Sequence, residues 1–131
     1  MDGVKMRTGW RRYGGARLYI RKCTALPEHM RDRTRELRSL ETHAQSQQQG
    51  HATMLMLNTC AEADFNGVVL VLWPSPWGDN IALSAEQLQD WYERRFGFKV
   101  IQKEPVAMMA RQVGATPLSL NPISEAIHGK R

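Results

Sequence analysis

Hydrophobic residues along this chain change their spacing several times, and each change marks an element. From Ala16 to Cys23, after the Gly14-Gly15 break, Leu18 and Ile20 alternate with Arg17, Tyr19 and Arg21. A period of two is that of a half-buried strand. Thr24 to Arg35 reads as a polar connection. Glu36 to Ala44 is ambiguous: Leu37, Leu40 and Ala44 sit at i, i+3 and i+7, and local propensity favours a helix there. Beyond the polar, Gln-rich stretch Gln45 to Gly50, the spacing of Ala52, Leu55, Met56, Cys60 and Ala63 predicts a helix over Ala52 to Asp64, so Gly50 stands just before its start.

Val68 to Trp73 is a continuous apolar run bounded by Gly67 and Pro74, which reads as a short buried strand. A loop with Pro74, Pro76 and Gly78 leads to Ser84. Ser84 and Gln87 have the spacing of a capping box, opening a helix with Leu88, Trp91, Tyr92 and Arg95 on one side and Gly97 as its stop. Phe98 to Gln102 and Val106 to Arg111 read as two closing strands. The expected organisation is a basic arm over residues 1–15, one α/β (α+β) domain over 16–111 and a loose tail over 112–131. A chain of 131 residues suits one domain of this kind.

Composition narrows the class. Hydrophobic residues make up 42% and charged residues 24%, the balance of a folded globular protein rather than a disordered or collagenous chain. The longest apolar run is far short of the ~20 residues of a membrane span. The basic N-terminus lacks the apolar block of a secretory signal, so a cytoplasmic protein is expected. Cys23 and Cys60 are too few for a disulfide scaffold and are not spaced as a zinc pair; no metal is expected. Cys60, within an apolar helix, reads as a buried thiol.

Charge is distributed unevenly. Residues 1–38 carry 11 Lys or Arg against 4 Asp or Glu, a net +7, while residues 39–131 are net −2. Trp10 and Tyr13 are interleaved with Arg11, Arg12 and Arg17, a pattern able to hold phosphates and stack on bases. A solvated arm, or one that contacts another subunit, has the same composition. Both readings stand at this level.

The strongest chemical constellation is Gln47-Gln48-Gln49-Gly50-His51-Ala52 at a helix start. Unpaired amides and the helix dipole favour an anion there, and a residue without a β-carbon lets a pyrophosphate approach. Gln47-x-x-Gly50-x-Ala52 resembles the acyl-CoA loop Gln/Arg-x-x-Gly-x-Gly/Ala of the GNAT superfamily of N-acyltransferases. Leu88-x-x-Trp91-Tyr92 through Gly97-Phe98 is similar to the family's late helix-to-strand segment, and Pro105 to Arg111 to its last strand. The likeness covers about residues 36–111. A weaker likeness, carried by the compact form and by Pro74 to Gly78, is to small phage-encoded acetyltransferase-like proteins.

The resemblance implies a GNAT-like mixed sheet flanked by helices, with Glu36 to His43 as the strand entering the phosphate loop despite its helical propensity. It implies acetyl-CoA as acyl donor, held by Gln47, Gln48, Gln49, Gly50, His51 and Ala52 with Thr42 and His43 at the strand end. Tyr92 then matches the acid that protonates the departing thiolate, and Glu41 a base that acts on the attacking amine through water; His43 and His51 are alternative bases. The acceptor implied is an unidentified primary amine. Family members place a strand, two helices and a strand hairpin before the loop-entering strand, and 35 residues cannot hold all of that. The acceptor side is therefore open, completed by a second copy or another protein, or absent. A catalytically silent module, docking a protein or nucleic acid through its basic arm, is the alternative to an enzyme.

Overall fold

A computed structural model describes residues 6–24, 27–42, 50–74 and 84–115. Two strands, β1 (Gly9–Tyr13) and β2 (Ala16–Lys22), form a hairpin whose turn uses a positive φ of 55° at Gly14. A one-turn helix α1 (Glu28–Arg31) precedes β3 (Thr34–Thr42), and the 16-residue α2 (His51–Asn66) leads into β4 (Val69–Leu72). Helix α3 (Ala85–Phe96) then precedes β5 (Lys99–Gln102) and β6 (Met108–Arg111). The six strands form one mixed sheet in the order β1-β2-β3-β4-β6-β5, with β3 and β4 parallel and the other neighbours antiparallel.

Gly9–Tyr13, expected from the sequence to belong to a basic arm, is instead the edge strand of this sheet, paired with β2 from Gly9↔Ile20 to Tyr13↔Ala16. The hairpin turn supplies the backbone partners that a run of charged side chains does not advertise. Glu36 to Thr42 lies within β3, a strand as the resemblance implied, and His43 lies outside the described residues.

One face of the sheet carries the main core. Leu18 and Ile20 of β2, Leu37 and Leu40 of β3, Leu70 and Leu72 of β4 and Met109 of β6 pack under Leu55, Met56, Cys60 and Ala63 of α2 and Tyr92 and Phe96 of α3. The helical stripe on α2 is the expected one, joined by Thr59, whose buried hydroxyl donates to the Leu55 carbonyl at 2.8 Å. On α3 the stripe ends differently: Phe96 turns inward and Arg95 is exposed. The opposite face holds a smaller cluster of Cys23, Val71, Met108 and Ala110.

Helix ends follow local chemistry. Ser84 caps α3 in a complete capping box, its Oγ accepting from the Gln87 amide at 3.1 Å while the Gln87 side chain accepts from the Ser84 amide at 2.8 Å. Gly67 and Gly97 close α2 and α3 in the left-handed conformation, which lets their amides reach back to the last carbonyls.

Candidate functional site

The start of α2 has the properties of an anion cradle. Gly50 adopts φ 76°, and the first helical hydrogen bond runs from the Met54 amide to the Gly50 carbonyl at 2.9 Å. The amides of His51, Ala52 and Thr53 precede it and so have no carbonyl within the helix. Gly50 is the N-cap, no side-chain cap hydrogen bond is made among the described residues, and the first turn holds no acidic residue to offset the positive end of the helix dipole. A Cβ built on Gly50 meets nothing within 4 Å, so the backbone angle calls for glycine there and the space around it is open.

The His51 ring is engaged at the β1–β2 turn. Its Nδ1 accepts a hydrogen bond from the Gly15 amide at 2.9 Å, and its ring meets Tyr13 edge-on at 5.9 Å. The imidazole thus ties the helix start to the β1–β2 turn. Gly14 makes this contact possible, because a Cβ there would lie 2.5 Å from Nδ1. Ala52 is half-buried on the main core. Thr42 is the last residue of β3, paired with Ala16. His43, Gln47, Gln48 and Gln49 lie outside the described residues.

Strand β3, which leads to this loop, is irregular in a way its sequence did not announce. The register with β2 shifts between Tyr19↔Arg38 and Arg17↔Glu41, so Ser39 and Leu40 together face Leu18, and Ser39 takes φ 57°. This is a β-bulge. It places Leu37 and Leu40 in the same core although they are three residues apart. Pairing with β4 extends only from Thr34↔Val69 to Glu36↔Val71. From Leu37 onward β3 is paired, among the described residues, with β2 alone. Among the described residues the sheet therefore opens between two parallel strands, on the strand that precedes α2 in the chain.

Glu41 lies after the bulge and receives Arg17 Nε at 2.9 Å. Tyr92 is 1% exposed, packed edge-on against Trp91 at 5.1 Å and Phe98 at 5.6 Å. Burial pushes its phenol well above the ordinary tyrosine value, since the charged form would have no solvent. The ring is the core aromatic its helical position suggests, and among the described residues its hydroxyl makes no hydrogen bond.

A second buried network escaped the sequence reading. The Arg111 side chain, 5% exposed, holds Asp64 in a two-point pair, Nη1 to Oδ1 at 2.7 Å and Nη2 to Oδ2 at 3.0 Å. Its Nε donates to the Phe96 carbonyl at 2.7 Å, and the Gly114 amide donates to Asp64 Oδ1 at 2.8 Å. These bonds hold the Asp64 carboxyl below its usual range. One guanidinium thereby joins the ends of α2, α3 and β6. The available signal was an arginine closing an apolar strand, which burial obliges to find a carboxylate. Nearby, burial pushes the Cys60 thiol up to about 11, as for an inert core cysteine. Among the described residues no three His, Cys, Asp or Glu side chains cluster as metal ligands, and no helix is long and apolar enough to cross a membrane.

No protein-family model matches this chain, and no curated protein matches it. Among solved structures it is similar to the GNAT family N-acetyltransferase YhbS from Escherichia coli in complex with CoA, with a TM-score of 0.53 and 14% identity. The match covers 78% of this chain but only 57% of that one. The six-stranded mixed sheet, opened between its parallel strands and flanked by α2 and α3, is thus a GNAT-like α/β fold.

Proposed function

We propose that this protein binds acetyl-CoA at the start of α2 and transfers the acetyl group to a primary amine. The observation that carries the reading is a helix start with a left-handed Gly50 and, among the described residues, no side-chain cap, preceded in the chain by a strand whose second half has no described partner on the β4 side. Helix amides and dipole suit the pyrophosphate. The unpaired backbone of β3 suits both the extended pantetheine arm and the oxygen of a polarised thioester carbonyl.

In this reading the amine nitrogen attacks the thioester carbon, the carbon–sulfur bond breaks, and the leaving thiolate takes a proton from Tyr92. Its hydroxyl is not committed to another described residue, and because burial disfavours the phenolate, Tyr92 must regain a proton, by way of solvent, from the one that Glu41 takes from the amine. Glu41, through water, takes the proton released by the amine. The CoA complex of the similar Escherichia coli enzyme supports the choice of donor. The Arg17–Glu41 ion pair favours a second reading, a non-catalytic acyl-CoA-binding module, because it engages the carboxylate a base would need.

Titration calorimetry of acetyl-CoA into the wild type and Gly50→Asp tests the binding site. The wild type is expected to release or absorb heat with one-site stoichiometry. Gly50→Asp, which places a carboxylate where the anion approaches, is expected to show none. Absence of heat with folded wild type removes the acyl-CoA reading, and equal binding by the variant moves the site elsewhere.

A further inference from the structure

The face of β1, β2 and β3 opposite the main core has no role in the reaction above, and its side chains form an ordered pattern. Register places Trp10, Tyr19 and Arg38 side by side across the three strands. Trp10 and Tyr19 meet edge-on with centroids 5.2 Å apart, and the Arg17 guanidinium lies 4.5 Å from the Trp10 ring centroid. Arg12 stands opposite Arg17 on one side of this row and Arg21 opposite Glu36 on the other. Three adjacent strands thus present a row of two aromatic rings and a planar guanidinium, flanked by arginines.

A buried carboxylate organises part of the pattern. Glu36, with a side chain only 3% exposed, accepts from Arg21 Nε at 3.2 Å and Arg38 Nη1 at 3.0 Å. Both arginine side chains stay about half exposed, at 45% and 49%. Each has five N–H donors, more than Glu36 accepts, so the carboxylate fixes their positions while leaving donors for a ligand. Trp10 is 43% exposed. Arg12 is exposed and makes no ion pair among the described residues. Four arginines face two glutamates here, so the patch keeps a positive excess.

We propose that this sheet face binds single-stranded nucleic acid, with bases stacked on Trp10 and Tyr19 and phosphates held by Arg12, Arg21 and Arg38. An exposed Trp10 beside a half-buried Tyr19 on a sheet accepts bases of any sequence, and guanidinium groups spaced along the strands suit a flexible phosphate backbone better than a rigid duplex. An acidic peptide would satisfy the arginines but would leave the aromatic row without a planar partner.

The test uses the full-length protein without acetyl-CoA, so its outcome is independent of the transferase reading. Fluorescence anisotropy follows a labelled dT20 oligonucleotide, a duplex of the same length and a polyglutamate peptide at increasing salt. Binding of dT20 is expected to weaken about 20-fold between ~50 and ~200 mM salt for three phosphate contacts at a slope of about 0.7 each. Trp10→Ala is expected to weaken it about tenfold, and Arg12→Gln to lower the salt slope by about 0.7. Both positions are exposed on an edge strand, so both variants should fold. Arg95→Gln, with the same charge change on exposed α3, should bind as the wild type does. Absence of dT20 binding at low salt, equal or tighter binding of the duplex or polyglutamate, or equal losses in Arg12→Gln and Arg95→Gln would each overturn the proposal.

Discussion

Removing the charge of Asp64 tests whether the Arg111 network holds the two helices in place. Asp64→Asn preserves size and one acceptor oxygen, but leaves an arginine side chain that is 5% exposed without a charged partner among the described residues. Two charge-assisted hydrogen bonds, at 2.7 and 3.0 Å, are affected. Bonds to charged groups contribute about 1.5–3 kcal/mol each, and breaking a fully buried pair costs about 3–5 kcal/mol. Asp64 is itself 32% exposed, so water compensates in part and the expected loss is about 2–3 kcal/mol. Urea denaturation should show it as a midpoint lowered by about 1–2 M for a slope near 1.5 kcal/mol/M.

The pH dependence has a definite sign. Because the folded state holds the Asp64 carboxyl below its unfolded value, its contribution is complete above the ordinary carboxylate range, near pH 4, and is lost as pH falls through the folded value. The gap between wild type and variant should therefore be full at neutral pH and close as acid is added. A midpoint shift below about 0.3 M at neutral pH, or a gap unchanged by acid, would show that Arg111 is not held by charge.

Two further outcomes concern the site. Tyr92→Phe keeps the ring and removes a hydroxyl with no described partner, so it should fold at least as stably and bind acetyl-CoA equally well, while turnover with an accepted amine falls about 100-fold; unchanged turnover in a steady-state assay would leave Tyr92 as packing alone. Gly14→Ala, which combines an unfavourable φ with a Cβ 2.5 Å from the His51 ring, should lower stability by about 1–2 kcal/mol or more. In thermal melts the Gly14→Ala, His51→Ala double variant should lose less than the two single losses together.

Much of the element order could be read from the sequence because each signal was local. The capping box at Ser84 and Gln87, the glycines after α2 and α3, and the valine-rich run of β4 all act within a few residues of themselves. The same holds for the chemistry of Gly50 before α2, where a backbone angle and a helix dipole are properties of one short segment. Leu37 and Leu40 show where that logic fails. Their spacing of three favoured a helix, yet it arises from a bulge whose extra residue exists only in relation to Leu18 of the neighbouring strand.

Tertiary structure alone decided the rest. That Gly9–Tyr13 would be an edge strand depended on β2 lying beside it, and the aromatic row of Trp10, Tyr19 and Arg38 depended on register across three strands. The commitment of the His51 ring to Gly15, the Arg21–Glu36 pair and the Arg111–Asp64 pair join residues 15 to 47 positions apart, whereas the Arg38 contact to Glu36 is local. Periodicity records which side of an element is buried. It carries no record of which buried or charged group on a distant segment will meet it, because that meeting is set by register and packing after the chain has folded.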